Sequence, residues 1–175
     1  RQENQFEDFV PTLERLIILK KKWAEFAFPE LDPYDANIDV FERGMRMERL
    51  TPIFDKLKNE LIPLIDAIRK SSINPDVDFL KGNFPIDKQE ALGRIISKDI
   101  GFDYDRGRMD VSVHPFCGGG HPTDVRITTR YRSESFIDSL FAVIHETGHG
   151  LYEQGRMSGF MDLPVSESLT MAIHE

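Results

Sequence analysis

Apolar residues recur at spacings of three or four along the first part of the chain, which is the period of an amphipathic α-helix. The first such stretch runs from Phe6 to about Phe28, and the second from about Asn37 to Lys70. Pro52 and Pro63 lie inside the second stretch. Because proline removes a backbone donor, we expect these two residues to divide or kink that helix.

A turn-rich segment, 71–85, leads to a third helix that is expected from about Asp87 to Lys98. The pattern then changes to short runs that carry Val, Ile and Thr, at 109–116 and 124–131. These runs flank a glycine-rich connection, 117–122. We expect them to form two strands of a small sheet.

A strongly apolar run predicts a long helix that begins near Ser135 and ends at Gly155. Ser135 and Asp138 have the spacing of a capping box, in which side chains bond the free backbone donors of a helix start. After a loop over 156–165, a last helix is expected over 166–175, since that segment holds no Gly and no Pro.

Composition and charge limit the kind of protein. The 175 residues are 40% apolar and 30% charged, enough to bury a core as one domain. No apolar run reaches about 18 residues and no basic-then-apolar leader is found, so neither a membrane span nor a signal peptide is expected. A formal charge of −8 disfavours binding to nucleic acid or anionic lipid. The single cysteine, Cys117, cannot form an internal disulfide, which favours a reducing compartment such as the cytoplasm.

Both ends of the chain lack the usual signals of a terminus. It starts at Arg1 without an initiator Met, and it stops at Glu175 within the last predicted helix. We therefore expect a piece of a longer protein.

The long apolar helix contains the segment His145-Glu146-Thr147-Gly148-His149, an H-E-x-x-H pattern. Residues four apart on an α-helix differ by about 40° in direction and about 6 Å in height, so both imidazoles can reach one metal ion. Glu146 lies about 100° round the helix, where it can take a proton from a water at the metal's open position. Zinc suits such a site. The pattern predicts His145 and His149 as ligands and Glu146 as general base.

A third metal ligand must come from elsewhere, and the last predicted helix offers two carboxylates, Glu167 and Glu175. Either could approach the metal if the loop turns that helix back antiparallel. The chemistry of the residues does not choose between them. Other acids nearby, such as Glu153 and Asp162, are expected to face solvent or to cap helices.

The second predicted strand alternates between a polar and a mostly apolar face. Asp124, Arg126, Thr128 and Arg130 share the polar face. Arg126 could meet a substrate carboxylate in a bidentate pair, or it could form an ion pair with Asp124 that stiffens the strand. Both interpretations stay open for Arg126, whereas a structural role is favoured for Arg130.

His114, Cys117 and His121 form an H-x2-C-x3-H cluster that could be a second metal site or a Cys/His nucleophile. We favour neither, because three glycines between Cys117 and His121 predict a mobile loop and no fourth ligand lies nearby in sequence.

Four segments together resemble consecutive signature motifs of the carboxypeptidase Taq family of metallocarboxypeptidases. In chain order they are His114-Pro115-Phe116, Asp124-Val125-Arg126-Ile127-Thr128, His145-Glu146-Thr147-Gly148-His149 and His174-Glu175. The resemblance implies that His145, His149 and Glu175 bind the metal, that Glu146 is the general base, and that His114 contacts the substrate.

The resemblance has further implications for the whole protein. It implies a zincin-like, mainly α-helical fold with a small β-sheet lining the active-site cleft. It also implies a homodimer that uses Zn²⁺, or sometimes Co²⁺, and that acts on peptides. The family chain is longer at both ends, and its arginine-bearing motif for the substrate carboxylate would lie beyond Glu175.

We therefore expect one catalytic-domain fragment of a metal-dependent carboxypeptidase. Its regions are helical over 1–105, a small sheet with a Gly-rich loop over 106–132, and metal-binding helices over 133–175. Two alternatives remain: a helical H-E-x-x-H endopeptidase that cuts inside peptides, and a truncated chain that is inactive on its own because its last ligand lies at a frayed end.

Overall fold

The computed structural model describes residues 5–156, 158–161, 163–168 and 170–175, without the side chain of Ser158. It divides the chain into two compact units. The first comprises residues up to 72 together with 170–172, and the second comprises 73–169 together with 173–175. The division of the sequence at 105 and 132 stays a prediction.

The first unit is helical, with α1 (Val10–Ala27), α2 (Pro33–Phe41) and α3 (Met47–Lys70). The bounds of α1 confirm the first predicted helix. Asp32 caps α2, because its carboxylate accepts a hydrogen bond of 2.8 Å from the backbone N–H of Tyr34. Asp35 of α2 caps α3 in turn, as it accepts a bond of 2.7 Å from the N–H of Met47.

The second predicted helical stretch breaks at a different place from the one expected. The interruption lies between Phe41 and Met47, whereas α3 continues through both Pro52 and Pro63. Gly44 supplies a left-handed φ of 82° at the turn. The carboxylate of Asp39 accepts a bond of 3.0 Å from the Gly44 N–H and pairs with Arg46. These contacts hold the turn. Because α3 is continuous, the expected division at the prolines was wrong, whereas a kink at either proline stays a prediction.

The second unit contains α4 (Ile86–Ile100), which confirms the third predicted helix, and a sheet against which a long helix, α5 (Ile137–Gly155), packs. Gly101 ends α4 with a φ of 120°. Buried side chains of the sheet, of α5 and of the segment that follows α4 form the core: Phe102, Met109, Val125, Ile127 and Val143. Gln89 of α4 ties the elements together, since it donates to the carbonyls of Phe84 and Arg132 and accepts from Ser139 of α5.

Three strands, not the two expected, form the sheet within the described residues: β1 (Gly107–Val111), β2 (Cys117–His121) and β3 (Asp124–Thr129). Their order is β1-β3-β2, with β1 parallel and β2 antiparallel to β3. The glycine-rich segment expected to be a connection is therefore itself an edge strand. Gly119, with a φ of 138°, lies where a Cβ would meet the backbone of Asp124, so only glycine permits this close pairing.

The start of α5 differs from the predicted capping box. Ser135 precedes the helix, and the N-cap position falls on Phe136, whose side chain makes no capping bond. Ser135 instead donates its backbone N–H to the carbonyl of Arg132, and Asp138 lies 3.7 Å from the Arg132 guanidinium. The helix ends at Gly155, as predicted.

The predicted last helix is much shorter than expected. A single 3₁₀ turn covers Pro164–Ser166, and α6 covers only Met171–His174. Ser166 bonds the carbonyls of Met161 and Leu163 with its hydroxyl, which closes a turn where a helix was expected. Asp162, one of the acids expected to face solvent or cap a helix, lies outside the described residues. In the described part of the chain, no helix combines the length and apolar character that crossing a membrane requires.

Candidate metal centre

Two imidazoles project from the same side of α5. His145 and His149 are one turn apart, and their Nε2 atoms lie 3.1 Å from each other. The ring centroids are 4.7 Å apart and the ring planes are nearly perpendicular, at 89°. The His149 side chain is only 11% exposed, whereas that of His145 is 54% exposed. The helical spacing therefore brings the two rings together as the sequence predicted.

The carboxylate of Glu175, which follows α6 directly, reaches the same place. Its Oε2 atom lies 3.8 Å from Nε2 of His149 and 4.0 Å from Nε2 of His145. Within the described residues, these three side chains are the set whose ligand atoms cluster closely enough for one metal ion. The other candidate, Glu167, is not in this cluster and lies beside Arg156 and Ser166 at a separate cavity.

The donor set fits a divalent metal. Two atoms that each bind the same ion at about 2.1 Å are at most about 4.2 Å apart. All three separations among the ligand atoms, 3.1, 3.8 and 4.0 Å, fall below that limit. Two neutral imidazoles and one carboxylate are also the donors of many catalytic zinc sites. The residues present can hold such an ion.

Glu146 lies beside these three residues and is almost fully buried, with 5% of its surface exposed. Its Oε2 atom has no hydrogen-bond partner among the described residues. Burial raises the pKa of this carboxyl above its ordinary value, while the nearby imidazoles of His145 and His149 act in the opposite direction. A buried carboxylate with a free oxygen and a raised pKa is suited to accept a proton.

A cavity of about 480 Å³, called here the metal-site cavity, opens in front of these groups. Its walls come from β2 and the segment before it, from α5, and from the end of the chain. Its polar and titratable lining residues include His114, Cys117, His145, Glu146, His149, Glu153, Arg156, His174 and Glu175. The sheet thus lines the cavity as predicted, and His114 lines it as well, while a contact between His114 and substrate stays a prediction.

Arg126 lies elsewhere, on the exposed side of β3. Its Nε and Nη2 atoms each donate a bond of 2.9 Å to the carboxylate of Asp124, so the guanidinium is held in a bidentate pair. This pair lowers the pKa of Asp124. Arg126 is not among the residues that line the metal-site cavity. The geometry fits the ion-pair interpretation, and a substrate contact by Arg126 stays a prediction.

The His114, Cys117 and His121 cluster separates in the structure. His114 and Cys117 line the metal-site cavity, whereas His121 lies outside it and bonds the hydroxyl of Thr123 at 2.8 Å. Burial, with smaller contributions from the charges of Glu146 and Glu153, raises the pKa of Cys117 to about 11. Cys117 is thus a neutral thiol at ordinary pH, which disfavours a nucleophilic role.

Sequence reasoning missed two residues of this cavity, Glu153 and His174. Glu153, expected to face solvent or cap a helix, is half-buried and pairs with Arg156 at 2.7 Å. It follows His149 by four residues, so the helical period that placed the two histidines could have placed it as well. His174 was named only as the neighbour of Glu175. No local pattern marks it, because its place depends on how the chain returns to α5.

The whole chain is similar to known metallopeptidases. The model of the carboxypeptidase Taq (M32) metallopeptidase family matches residues 1–175. Carboxypeptidase 1 of Bacillus subtilis (strain 168) is 37% identical over 173 residues, which are 99% of this chain and 34% of the relative. Thermostable carboxypeptidase 1 of Thermus thermophilus is 37% identical over 184 residues, which are 100% of this chain and 36% of the relative.

Solved structures show the same similarity. The crystal structure of the M32 carboxypeptidase from Deinococcus radiodurans R1 superposes with a TM-score of 0.88 at 37% identity, covering 99% of this chain and 35% of that one. The chain thus spans about a third of the length of these relatives.

Proposed function

The chain belongs to the carboxypeptidase Taq (M32) family of metallopeptidases, and we propose that it forms the metal-binding core of a metal-dependent carboxypeptidase. The activity proposed for the full-length protein is hydrolysis of C-terminal residues from peptides. The observation that carries this proposal is the convergence of two imidazoles and one carboxylate at a cavity that also contains a buried carboxylate without a partner.

His145, His149 and Glu175 are the proposed metal ligands, and Zn²⁺ is the proposed ion, with Co²⁺ as the alternative. When bound, such an ion polarises the scissile carbonyl and lowers the pKa of a coordinated water. The two histidines are fixed by their spacing on α5, whereas Glu175 depends on the path of the chain after that helix.

Glu146 is the proposed general base. Its carboxylate takes a proton from the attacking water and passes it to the amine of the leaving residue, which completes the hydrolysis. Burial supports this role because it raises the proton affinity of the carboxylate above that of an exposed glutamate. His114 is the proposed substrate contact, since it lines the same cavity as Glu146 and the proposed metal ligands.

The decisive experiment compares two substrates that differ only at the C-terminus. The full-length protein should release the last residue from a peptide with a free carboxylate and should leave the C-terminally amidated peptide intact. An endopeptidase of similar helical fold would cleave both peptides at internal bonds. Internal cleavage of the amidated peptide at an undiminished rate would therefore contradict the carboxypeptidase proposal in favour of that second function.

The remaining features of the whole protein are proposals of the same kind. We infer a homodimer, which light scattering of the full-length protein would test, and a cytoplasmic location, which rests on the single cysteine. The alternative is that the 175-residue chain is inactive on its own. Metal analysis of that chain tests it, since one tightly bound zinc per chain would argue against loss of the site.

A further inference from the structure

Four aromatic rings contact one another in succession, beginning with the two imidazoles of the metal centre. His145 meets His149 edge-on, as described above. His149 stacks against His174, with ring centroids 4.7 Å apart and planes inclined by 27°. His174 in turn meets Tyr152 at 4.8 Å with planes at 87°. The ring of His174 therefore lies between a proposed metal ligand and a tyrosine.

The spacing on α5 explains why a ring fits at this place. His149 and Tyr152 are three residues apart, and side chains with that spacing are neighbours on the same face of a helix. The gap between them accepts one flat side chain, and His174 fills it. Its Nδ1 atom is buried and has no hydrogen-bond partner among the described residues. Ring contacts, and not a bond to this nitrogen, hold His174 in the gap.

His174 also directly precedes Glu175, so the place of its ring fixes the start of the glutamate side chain. The short helix α6 has four residues and none of them is buried. A segment this short cannot hold its own position, because an isolated helical turn is unstable in water. The stacking contacts of His174 anchor the residue directly before Glu175.

We propose that His174 is a positioning residue of the metal centre. Its ring, held between His149 and Tyr152, places the Glu175 carboxylate beside His145 and His149 and orients the ring of His149. This inference rests on the proposed metal site and concerns how the third ligand is delivered to it. Loss of a residue that contacts a metal ligand, without contacting the ion itself, typically weakens metal binding by about 10- to 100-fold.

The test uses two substitutions in the full-length protein. His174→Ala removes the ring, whereas His174→Phe keeps a flat ring of similar width without the nitrogens. Zn²⁺ affinity is measured by competition with a chromophoric chelator, and the visible absorption of the Co²⁺ form reports the ligand geometry. We expect His174→Ala to weaken Zn²⁺ binding by about 10- to 100-fold and to change the Co²⁺ spectrum. His174→Phe should stay within about threefold of the parent protein.

Two further variants separate positioning from general damage to the fold. Tyr152→Leu removes the edge contact on the other side of His174 and should weaken binding in the same direction. Ile173→Ala truncates the neighbouring side chain, which is 83% exposed, and should leave the affinity unchanged. Far-ultraviolet circular dichroism of the metal-free variants checks that the fold is retained.

The outcomes are distinguishable. A His174→Ala protein with parental affinity and an unchanged Co²⁺ spectrum would overturn the positioning role while leaving the metal site intact. Equal losses in the Phe and Ala variants would overturn it too, because they would assign the effect to the imidazole nitrogens. A parent protein that binds no zinc would overturn both this inference and the proposed function.

Discussion

At the scale of single residues, Glu146 combines features that a purely structural glutamate avoids. A buried carboxylate usually has its oxygens satisfied by donors, because an unpaired buried polar atom costs about 1–3 kcal/mol or more. One oxygen of Glu146 has no such donor among the described residues, although the residue is 5% exposed. This unpaired oxygen lies beside the imidazoles of His145 and His149 and supports the role of general base proposed for Glu146.

The first prediction follows from this arrangement. Glu146→Gln keeps the size of the side chain but cannot accept the proton, so turnover in the full-length protein should fall by about 10²- to 10⁴-fold. Bound zinc should stay at the parental level, since the three proposed ligands are unchanged. Peptide hydrolysis and elemental analysis of the same preparation measure the two quantities, and substantial remaining turnover would contradict the role of general base.

The sequence predicts these residues unequally well. The helical period alone predicts that His145 and His149 share a side of α5, and the structure places them 3.1 Å apart. The choice between Glu167 and Glu175 is different, because it depends on the return of the chain. The family resemblance implied Glu175, and the structure shows that Ser166 closes a turn and that Glu175 reaches the imidazoles.

At the scale of elements, the contact between α5 and the sheet sets the position of the metal ligands. Gly150 lies at this contact, where a Cβ atom would come 2.8 Å from Phe102 and 3.2 Å from Ile127. Gly148, two residues earlier, has nothing within 4 Å of the place of a Cβ. A side chain at position 150 would thus clash with the core, whereas a side chain at position 148 would not. Gly150 lets α5 approach the core, whereas no close neighbour in the described structure accounts for Gly148.

A matched pair of substitutions tests this difference. Gly150→Ala should destabilise the full-length protein by about 1–3 kcal/mol, because the added methyl group overpacks the contact with Phe102. Gly148→Ala should be neutral or stabilise by up to about 1 kcal/mol, since alanine has the higher helix propensity and space is available. Urea denaturation of both variants measures the changes. Equal destabilisation by the two alanines would contradict the assigned packing role of Gly150.

The elements also show where local patterns fail. The period of three and four predicts α1 and α4 well, since nothing within them conflicts with it. The two prolines predicted a break inside the second helical stretch at the wrong place. The break lies before α3, where Asp35 bonds the first N–H of that helix and Gly44 forms the turn. The glycines of β2 predicted a connection and not a strand. Pairing with β3 nevertheless makes this segment a strand, although glycine has a low intrinsic strand propensity.

At the scale of the whole molecule, the two units bury very different amounts of apolar surface. The second unit has a core of large side chains that includes Phe102, Ile127 and Val143. In the described part of the first unit, by contrast, the buried apolar residues are only Ala24 and Ala36. The apolar residues of α3 are largely exposed: Ile53, Phe54, Leu57, Leu61, Ile62, Leu64, Ile65 and Ile68. Exposed apolar surface of this extent is typical of a face that other protein segments cover.

The last prediction concerns the local stability of the two units in the 175-residue chain. Amide protection depends on the free energy of local opening, which rises with the apolar surface that an element buries. We expect the amides of β3 and α5 to exchange at least about 100-fold more slowly than those of α3, as measured by hydrogen exchange and mass spectrometry. In the full-length protein the amides of α3 should become protected, because additional segments would cover its apolar face.

Two substitutions serve as matched controls: Val143→Ala should speed exchange in β3, whereas Leu61→Ala should leave it unchanged. Equal protection of α3 and α5 in the 175-residue chain would contradict the argument, since the apolar face of α3 would then have to be covered within this chain itself.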